Sequence, residues 1–590
     1  MTQHIRRSQF IYTYGPGAII EGINGPRLIP RPDKGLFHDY NLKPEDFEIS
    51  DQRVSQGLLR GARVFRLPSN AELGRFEKEA IYKTKMFPSW RLCPQVHKGG
   101  FSALYQGSKC PVCNAKGGHH EAIRFVLACP EGHLDDVDWY DVVHSGKKCS
   151  GRPRYYKWFQ TGSSLSQVQI QCPGCSKKVN LGWAYKQPWK CSGRFPERKD
   201  FGVDPVGGRC TKHAFMIQRQ AANLRIPELF TLFTIPPRAT RLHHLLESQS
   251  IRTVWAMHDY NFADKADFMN ELDKLVRHNL LESSVYEEIN NYGWEDIQQA
   301  LQHLSQSPSS NYSDLISEEF AELLKASIRG YPPSRDQSGA VLFEVDPGKV
   351  GRVPGPHGKL RFRVAPLLRL RTVTVQKGYR REVGGAGDPP AVVDVSFTDR
   401  NNVRWYPGTE FLGEGVFVSL EDGSIDCQKK AVAQKWMDAY QKENKYPEHL
   451  FRDGSKRDEL HPVFVWWHTL SHFLIRAISV DSGYSSAAIR ERVYVSVDKS
   501  VGGIVLYATQ PGSEGSSGGL ISLVPHFGSI LQRALEMAEN CSNDPLCLEN
   551  HFQSGKYGGA ACYGCALISE TSCEHRNLWL DREVLLENAP

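Results

Sequence analysis

The sequence predicts a multi-domain α+β fold held together by metal. Three observations predict it. Stretches of helical spacing alternate with strand-like runs, the 590-residue length is enough for several cores, and fifteen cysteines fall almost entirely into two clusters. Nine cysteines lie between residues 93 and 210 and five between 541 and 573, while Cys427 stands alone and reads as a free thiol. Hydrophobic residues at 40% and charged residues at 23% are ordinary for a soluble globular chain. A net charge of +6 over this length matters only where it is clustered.

Taken in order, residues 1–88 mix short apolar runs with Gly and Pro ("TYGPGAIIEG", "LRGARVFRLP") and read as a β-rich domain. Residues 89–215 form a zinc-binding region with knuckle and ribbon insertions. Residues 216–341 are mostly helical: "DKADFMNELDKLVRHNLLESSVYEEI" and "WEDIQQALQHL" carry apolar residues at helical spacing with charged faces. In "SDLISEEFAELLKAS", Ser313 and Asp314 are expected to cap a helix, with Glu318 and Glu319 in its first turns. Residues 342–430 form a basic β-rich segment. Residues 431–590 form a C-terminal domain of helices ("FVWWHTLSHFLIRAISV") and strands ("RVYVSVD", "GGIVLYATQ") that ends in a four-cysteine metal site. Arg6 and Arg7 have no apolar run behind them, which argues against a secretory signal, and no window reaches eighteen apolar residues. The expected compartment is the cytoplasm, where thiols stay reduced, so this many cysteines call for metal rather than disulfides.

Two thiolates separated by two residues on a tight turn reach one tetrahedral ion at about 2.3 Å. Cys110/Cys113 and Cys172/Cys175 have that spacing. Cys172, Cys175, Cys191 and Cys210 make a complete four-cysteine set, and Cys93 and His97 are the natural partners of Cys110 and Cys113. Cys129, His133, His144 and Cys149 make a third candidate set. At the C-terminus Cys541, Cys547, Cys562, Cys565 and Cys573 offer five thiols for four positions. That spacing suits zinc or an iron–sulfur cluster, and zinc is favoured because no redox-cofactor motif accompanies it. Two to four zinc ions are expected in all.

Between Asp346 and Glu382 there are ten Lys or Arg residues and no acid. Within this stretch Lys359, Arg361, Arg363, Arg369, Arg371, Lys377, Arg380 and Arg381 alternate with apolar residues, as on a half-exposed strand. Such a face would neutralise phosphate, and Tyr379 would stack a base. No ATPase, nuclease or hydrolase motif accompanies it, so a non-enzymatic role is expected. His468 and His472 stand one helical turn apart but lack the glutamate of a metalloprotease helix, and they read as buried, hydrogen-bonded histidines.

The segments "FIYTYGPGAII", "RFVLACPEGHLDD", "LGEGVFVSL", "HTLSHFLIRAISVDSGYSSAAIRERVY" and "ACYGCALISETSCEHRNLWLDR" occur in this order along nearly the whole chain. Together they resemble the DrmB family of the DISARM anti-phage system. From about residue 431 the chain also resembles the C-terminal zinc-binding domain of MrfA-type helicases, here without a motor. The resemblance implies a bacterial DNA-binding subunit that pairs with a separate helicase, DrmA, on single-stranded DNA or a single/double-strand junction. It selects Cys547, Cys562, Cys565 and Cys573 as the C-terminal ligands and leaves Cys541 spare. It also leaves Val96 where relatives carry a cysteine, so the fourth ligand there rests on His97. Two other readings remain: a protein-only adaptor for the helicase, and a metal-dependent nuclease.

Overall fold

A computed structural model describes residues 3–22, 25–117, 121–147, 149, 151–198, 210–238, 240–258, 261–336, 338–356, 358, 360–384, 389–422, 425, 431–442, 446–451, 458–481, 484–508, 519–553 and 557–589. Helices and strands are mixed throughout, the α+β class expected. The chain divides into two compact units interleaved in sequence. The first comprises Met1–Ile49, Ala62–Phe230 and Thr374–Thr409, the second Ser50–Gly61, Thr231–Val373 and Glu410–Pro590. The segment 89–215 lies whole in the first unit and 431–590 whole in the second.

The zinc-binding region is built on two antiparallel sheets. One runs Lys178–Asn180, Val168–Gln171, Tyr155–Gln160, Ser102–Gln106, Trp90–Leu92. The other runs Pro188–Lys190, His213–Gln218, Phe125–Ala128, Leu134–Asp136. Alternate side chains of the first sheet (Tyr156, Trp158, Val168, Ile170) pack with Leu127 and Met216 of the second and with Trp139 and Val143 of the helix Trp139–His144. One face of each strand is thereby committed to the core, and the residues between are turned outward.

In the second unit the sheet path is Tyr331–Arg335, Val341–Val345, the 361–373 part of Arg361–Arg380, the 410–422 part of Arg404–Asp422, Val501–Ala508, Ile489–Ser496. Both faces are covered. Phe362, Val364, Val416, Val418, Ile504 and Leu506 pack on the helix Pro462–Asp481. Ala365, Leu367, Phe417, Val505 and Tyr507 pack on the other side with Phe320 and Leu323 of the helix Tyr312–Arg329. Pro462–Val480 is long and apolar enough to cross a membrane by composition, but 83% of it is buried inside the protein. A helix that is apolar all round is a core helix when protein surrounds it.

The expected helical region is present as Lys265–Arg277, Ser283–Asn290 and Trp294–Ser305, which share a core of Phe268, Leu272, Ile289, Ile297 and Leu301. The next helix departs from expectation at its start. Its cap is Asn311, whose side chain accepts the Ser313 N–H at 3.0 Å, and Ser313 and Asp314 lie in its first turn. Glu319 is wholly buried and pairs with Arg492 at 2.7 Å. A sequence pattern of two adjacent acids does not show which of them meets an arginine from a distant strand.

Candidate metal centres and a basic surface

The two knuckles have the same backbone geometry. In the first, the Cys110 N–H bonds the Ala115 carbonyl at 2.9 Å and the Asn114 N–H returns to the Cys110 carbonyl at 2.9 Å. In the second, the Cys172 N–H bonds the Lys177 carbonyl at 2.9 Å and the Ser176 N–H returns to Cys172 at 3.0 Å. Asn114 and Ser176 take left-handed backbone at φ of 57° and 59°, which closes each turn and turns both thiols the same way.

Cys93, His97, Cys110 and Cys113 come together as the spacing predicts. Cys93 and Cys113 thiols are 3.9 Å apart, and His97 Nε2 is 3.6 Å from the Cys110 sulfur. Val96 is 73% exposed while His97 is buried, so it is the histidine that is placed to be the fourth ligand.

The other two sets exchange partners relative to the sequence reading. Cys129, His133, Cys191 and Cys210 form one centre, and His144, Cys149, Cys172 and Cys175 the next. Strand order is the reason. Cys129 follows the end of Phe125–Ala128, Cys191 follows the end of Pro188–Lys190, and Cys210 precedes the start of His213–Gln218. In the antiparallel four-stranded sheet those three points share one end. Cys172 and Cys175 stand on the other sheet's hairpin, where the Cys175 sulfur lies 3.3 Å from His144 Nε2. His144 Nδ1 donates to the Tyr140 carbonyl at 2.8 Å, which fixes the tautomer that leaves Nε2 free to bind. The Cys191 hydrogen bond, with help from His133, pulls the Cys129 thiol down to about 4, and contacts led by the Gly151 N–H bring Cys149 to about 7. Both arrangements favour the thiolate that metal requires.

At the C-terminus the thiols that come together, placed to hold one ion, are Cys541, Cys547, Cys562 and Cys565. Their sulfurs lie 3.4 Å (541–562), 3.7 Å (547–565) and 3.8 Å (562–565) apart. This corrects the set drawn from the resemblance: Cys541 is a member, and Cys573 is not. Cys573 is buried beneath the central helix, with its sulfur 3.3 Å from His468 Nε2. Burial alone would raise the Cys562 thiol, but hydrogen bonds from Asn543 and Cys541 bring it down to about 6. All four sets consist of Cys and His alone and offer four protein ligands each, the donor chemistry of a closed zinc site. Cys427 lies outside the described residues.

The basic strand does not present the expected phosphate-binding face. Arg371 is buried against Glu410 at 2.7 Å and Asp51 at 3.6 Å, and Arg363 pairs with Glu421 at 3.6 Å. Arg380 pairs with Glu228 at 2.8 Å. Arg381 is wholly buried and donates to the carbonyls of Gly132, Leu224 and Gly17 at 2.9, 2.8 and 3.2 Å. Lys377 lies 5.2 Å over the Phe230 ring, and Tyr379 is buried with its hydroxyl on Glu197, so it offers no stacking surface. Arg369 is half-buried, Arg361 is exposed, and Lys359 lies outside the described residues. The alternation misleads because both faces of the strand are covered, and because a register shift near Leu368 changes which residues face which core.

A second acid-free basic run had the same signal in sequence. Between Asp141 and Glu197 there are ten Lys or Arg residues and no Asp or Glu. Much of this run forms the five-stranded sheet, whose outward row carries Tyr155, Lys157 and Phe159 on one strand. Gln169 and Gln171 stand opposite Phe159 and Lys157, and Lys178 stands opposite Gln171. Lys178 is exposed, and Lys157 and Phe159 are half-exposed. Tyr155 stacks on Phe101 at 6.3 Å, and Lys178 sits 5.9 Å over the Phe159 ring. Counting acid-free windows along the whole chain would have found this surface.

Residues 6–226 match a domain of unknown function (DUF8724), and residues 470–566 match the MrfA Zn-binding domain, which takes in the C-terminal cysteine centre. The chain therefore carries a module similar to the MrfA Zn-binding domain. More particularly, it is 27% identical over 533 residues to the DISARM protein DrmB of Bacillus paralicheniformis, a match covering 85% of this chain and 88% of that relative. The similarity runs over most of both chains, in line with the resemblance its motifs carry. A solved structure of the DUF1998 helicase MrfA bound to DNA shares 10% identity at a TM-score of 0.21, over 38% of this chain and 22% of the helicase.

Proposed function

We propose that this chain is a non-catalytic, DNA-contacting subunit of a bacterial, cytoplasmic DISARM assembly, working beside a separate helicase of the DrmA type. Homology to DrmB over most of the chain supports the system. The observation that carries the DNA contact is the outward sheet face of Lys157, Phe159, Gln169, Gln171 and Lys178 within an acid-free run. Interleaved cations and aromatic rings on a rigid sheet suit single-stranded DNA: the cations track phosphate and the ring stacks a base. Each of the four cysteine-rich centres takes one zinc, rather than an iron–sulfur cluster, and fixes the loops around it. Four protein ligands fill a tetrahedral ion and leave no place for a reacting water, which favours a structural part over a nuclease.

The test is fluorescence anisotropy of labelled single-stranded and junction DNA through a salt series, with this chain alone and with its helicase. A steep salt slope that the chain adds to the helicase, and that Lys157→Glu with Lys178→Glu removes, is the expected result. An unchanged slope with and without the chain overturns the DNA contact. The adaptor reading would then hold, and it has one observation in its favour: Leu546, Leu548 and Tyr563 around the C-terminal centre are exposed, as at a protein-binding rim.

A further inference from the structure

The core of the second unit contains a group of donors that none of the four cysteine centres uses. His468 and His472 project from the helix Pro462–Asp481 toward Glu491 of the strand Ile489–Ser496 and toward Cys573 and His575 of the C-terminal loop. His468, His472 and Glu491 have no solvent exposure, and Cys573 and His575 are nearly as buried. One donor atom from each of His468, Glu491, Cys573 and His575 lies within 4.8 Å of the other three.

The positions of the protons decide what this group is. His468 Nδ1 lies 3.4 Å from the Trp579 carbonyl and His472 Nδ1 lies 2.9 Å from the Ala566 carbonyl. A carbonyl only accepts, so each Nδ1 carries a proton, and in that tautomer each ring turns the lone pair of Nε2 inward. Both lone pairs converge on Glu491 Oε1, at 2.9 and 3.3 Å, and His468 Nε2 is also 3.3 Å from the Cys573 sulfur. Glu491 Oε2 already accepts the Ser471 hydroxyl. The Cys573 sulfur accepts the main-chain N–H groups of His575 and Asn577, both at 3.3 Å. His575 Nδ1 is buried and meets no hydrogen-bond partner, while its Nε2 lies 3.5 Å from Glu459.

Acceptors therefore face acceptors inside an apolar core, which is repulsive unless positive charge sits among them. A single proton answers one of these contacts. A divalent ion answers the four donors together, and its charge cancels one carboxylate and one thiolate, leaving two neutral imidazoles. We propose that His468, Glu491, Cys573 and His575 hold a fifth metal ion, a divalent first-row cation of the zinc class. The mixed imidazole, thiolate and carboxylate set suits zinc, and four protein ligands in a sealed core make the site structural. It ties the central helix, the strand and the last sixty residues at one point. The neighbouring Arg492–Glu574 pair, at 2.8 Å, joins the same strand and loop.

The test uses the full chain, purified without chelator and reconstituted with excess zinc under reducing conditions. Anomalous diffraction at the zinc edge is expected to show a peak bounded by His468, Glu491, Cys573 and His575, in addition to those at the four cysteine centres. Elemental analysis is expected to give five zinc ions per chain, falling to four in His468→Gln. If that variant does not fold, the wild-type anomalous map decides alone. Peaks at the cysteine centres with none at this position overturn the proposal.

Discussion

Two acid-free runs of this chain carry ten basic residues each and put them to different uses. In the strand Arg361–Arg380 and at Arg381 most of the cations are drawn inward, where Arg371 and Arg380 pair with acids of neighbouring segments and Arg381 donates to buried carbonyls. In the sheet of the zinc-binding region, Lys157 and Lys178 stay on the outward row while Tyr156, Trp158 and Ile170 fill the core behind them. Charge counts were equal, so charge did not set the difference. The number of covered faces did: the first strand is sandwiched between two cores, and the second sheet has one face free. A basic run read from sequence thus says how much charge is available, and the layer count says whether any of it reaches solvent.

The largest expected effect that would break this comparison lies in the buried run. Replacing Arg381 with Met leaves three buried carbonyls without donors, at about 1–3 kcal/mol each, so a loss of at least ~3 kcal/mol is expected. A urea titration followed by intrinsic fluorescence checks it. A variant as stable as wild type but weakened on DNA would return Arg381 to the role the sequence suggested.

The next effect in size belongs to the exposed run. Removing the ring in Phe159→Ala should cost DNA affinity by about 1–3 kcal/mol, the worth of one stacked base, with little change in the urea midpoint. Reversing both Lys157 and Lys178 should lower the salt slope by about 1.4, given roughly 0.7 per phosphate contact on a single strand. Anisotropy at several salt concentrations separates the two, since loss of stacking shifts affinity at every salt concentration and loss of charge changes the slope. Cys175→Ser should release one zinc from the hairpin beside this sheet and weaken DNA binding indirectly. Added zinc should not restore the lost equivalent, and elemental analysis reads it directly.

What was legible in the sequence was local. The Cys-x2-Cys knuckles were readable because both ligands and their turn fit within six residues, and the first centre was complete because His97 is only four residues from Cys93. The helices around Phe268 and Leu301 were readable from periodicity alone. What was not legible depended on strand order. No spacing rule says that Cys129 meets Cys191 and Cys210 while His144 meets Cys172, because that choice is made by which strand ends share an edge. The same limit misplaced Cys573: a motif near four other cysteines looked like one site, but the fold sets the Cys573 sulfur against His468 of the central helix. His468 and His472 were rightly read as buried and hydrogen-bonded, but their shared orientation toward Glu491 is a tertiary fact.

The smallest expected effect is also the cleanest discriminator. Arg361 is the exposed cation of the strand Arg361–Arg380 itself among the described residues, placed at its start opposite Pro354. Among the described residues it forms no ion pair, so Arg361→Glu should change stability by no more than about 0.5 kcal/mol. If DNA follows only the sheet of the zinc-binding region, the salt slope of this variant should match wild type. A slope reduced by about 0.7 would mean that phosphate also reaches the open end of the basic strand, and the contrast between the two runs would become one of degree.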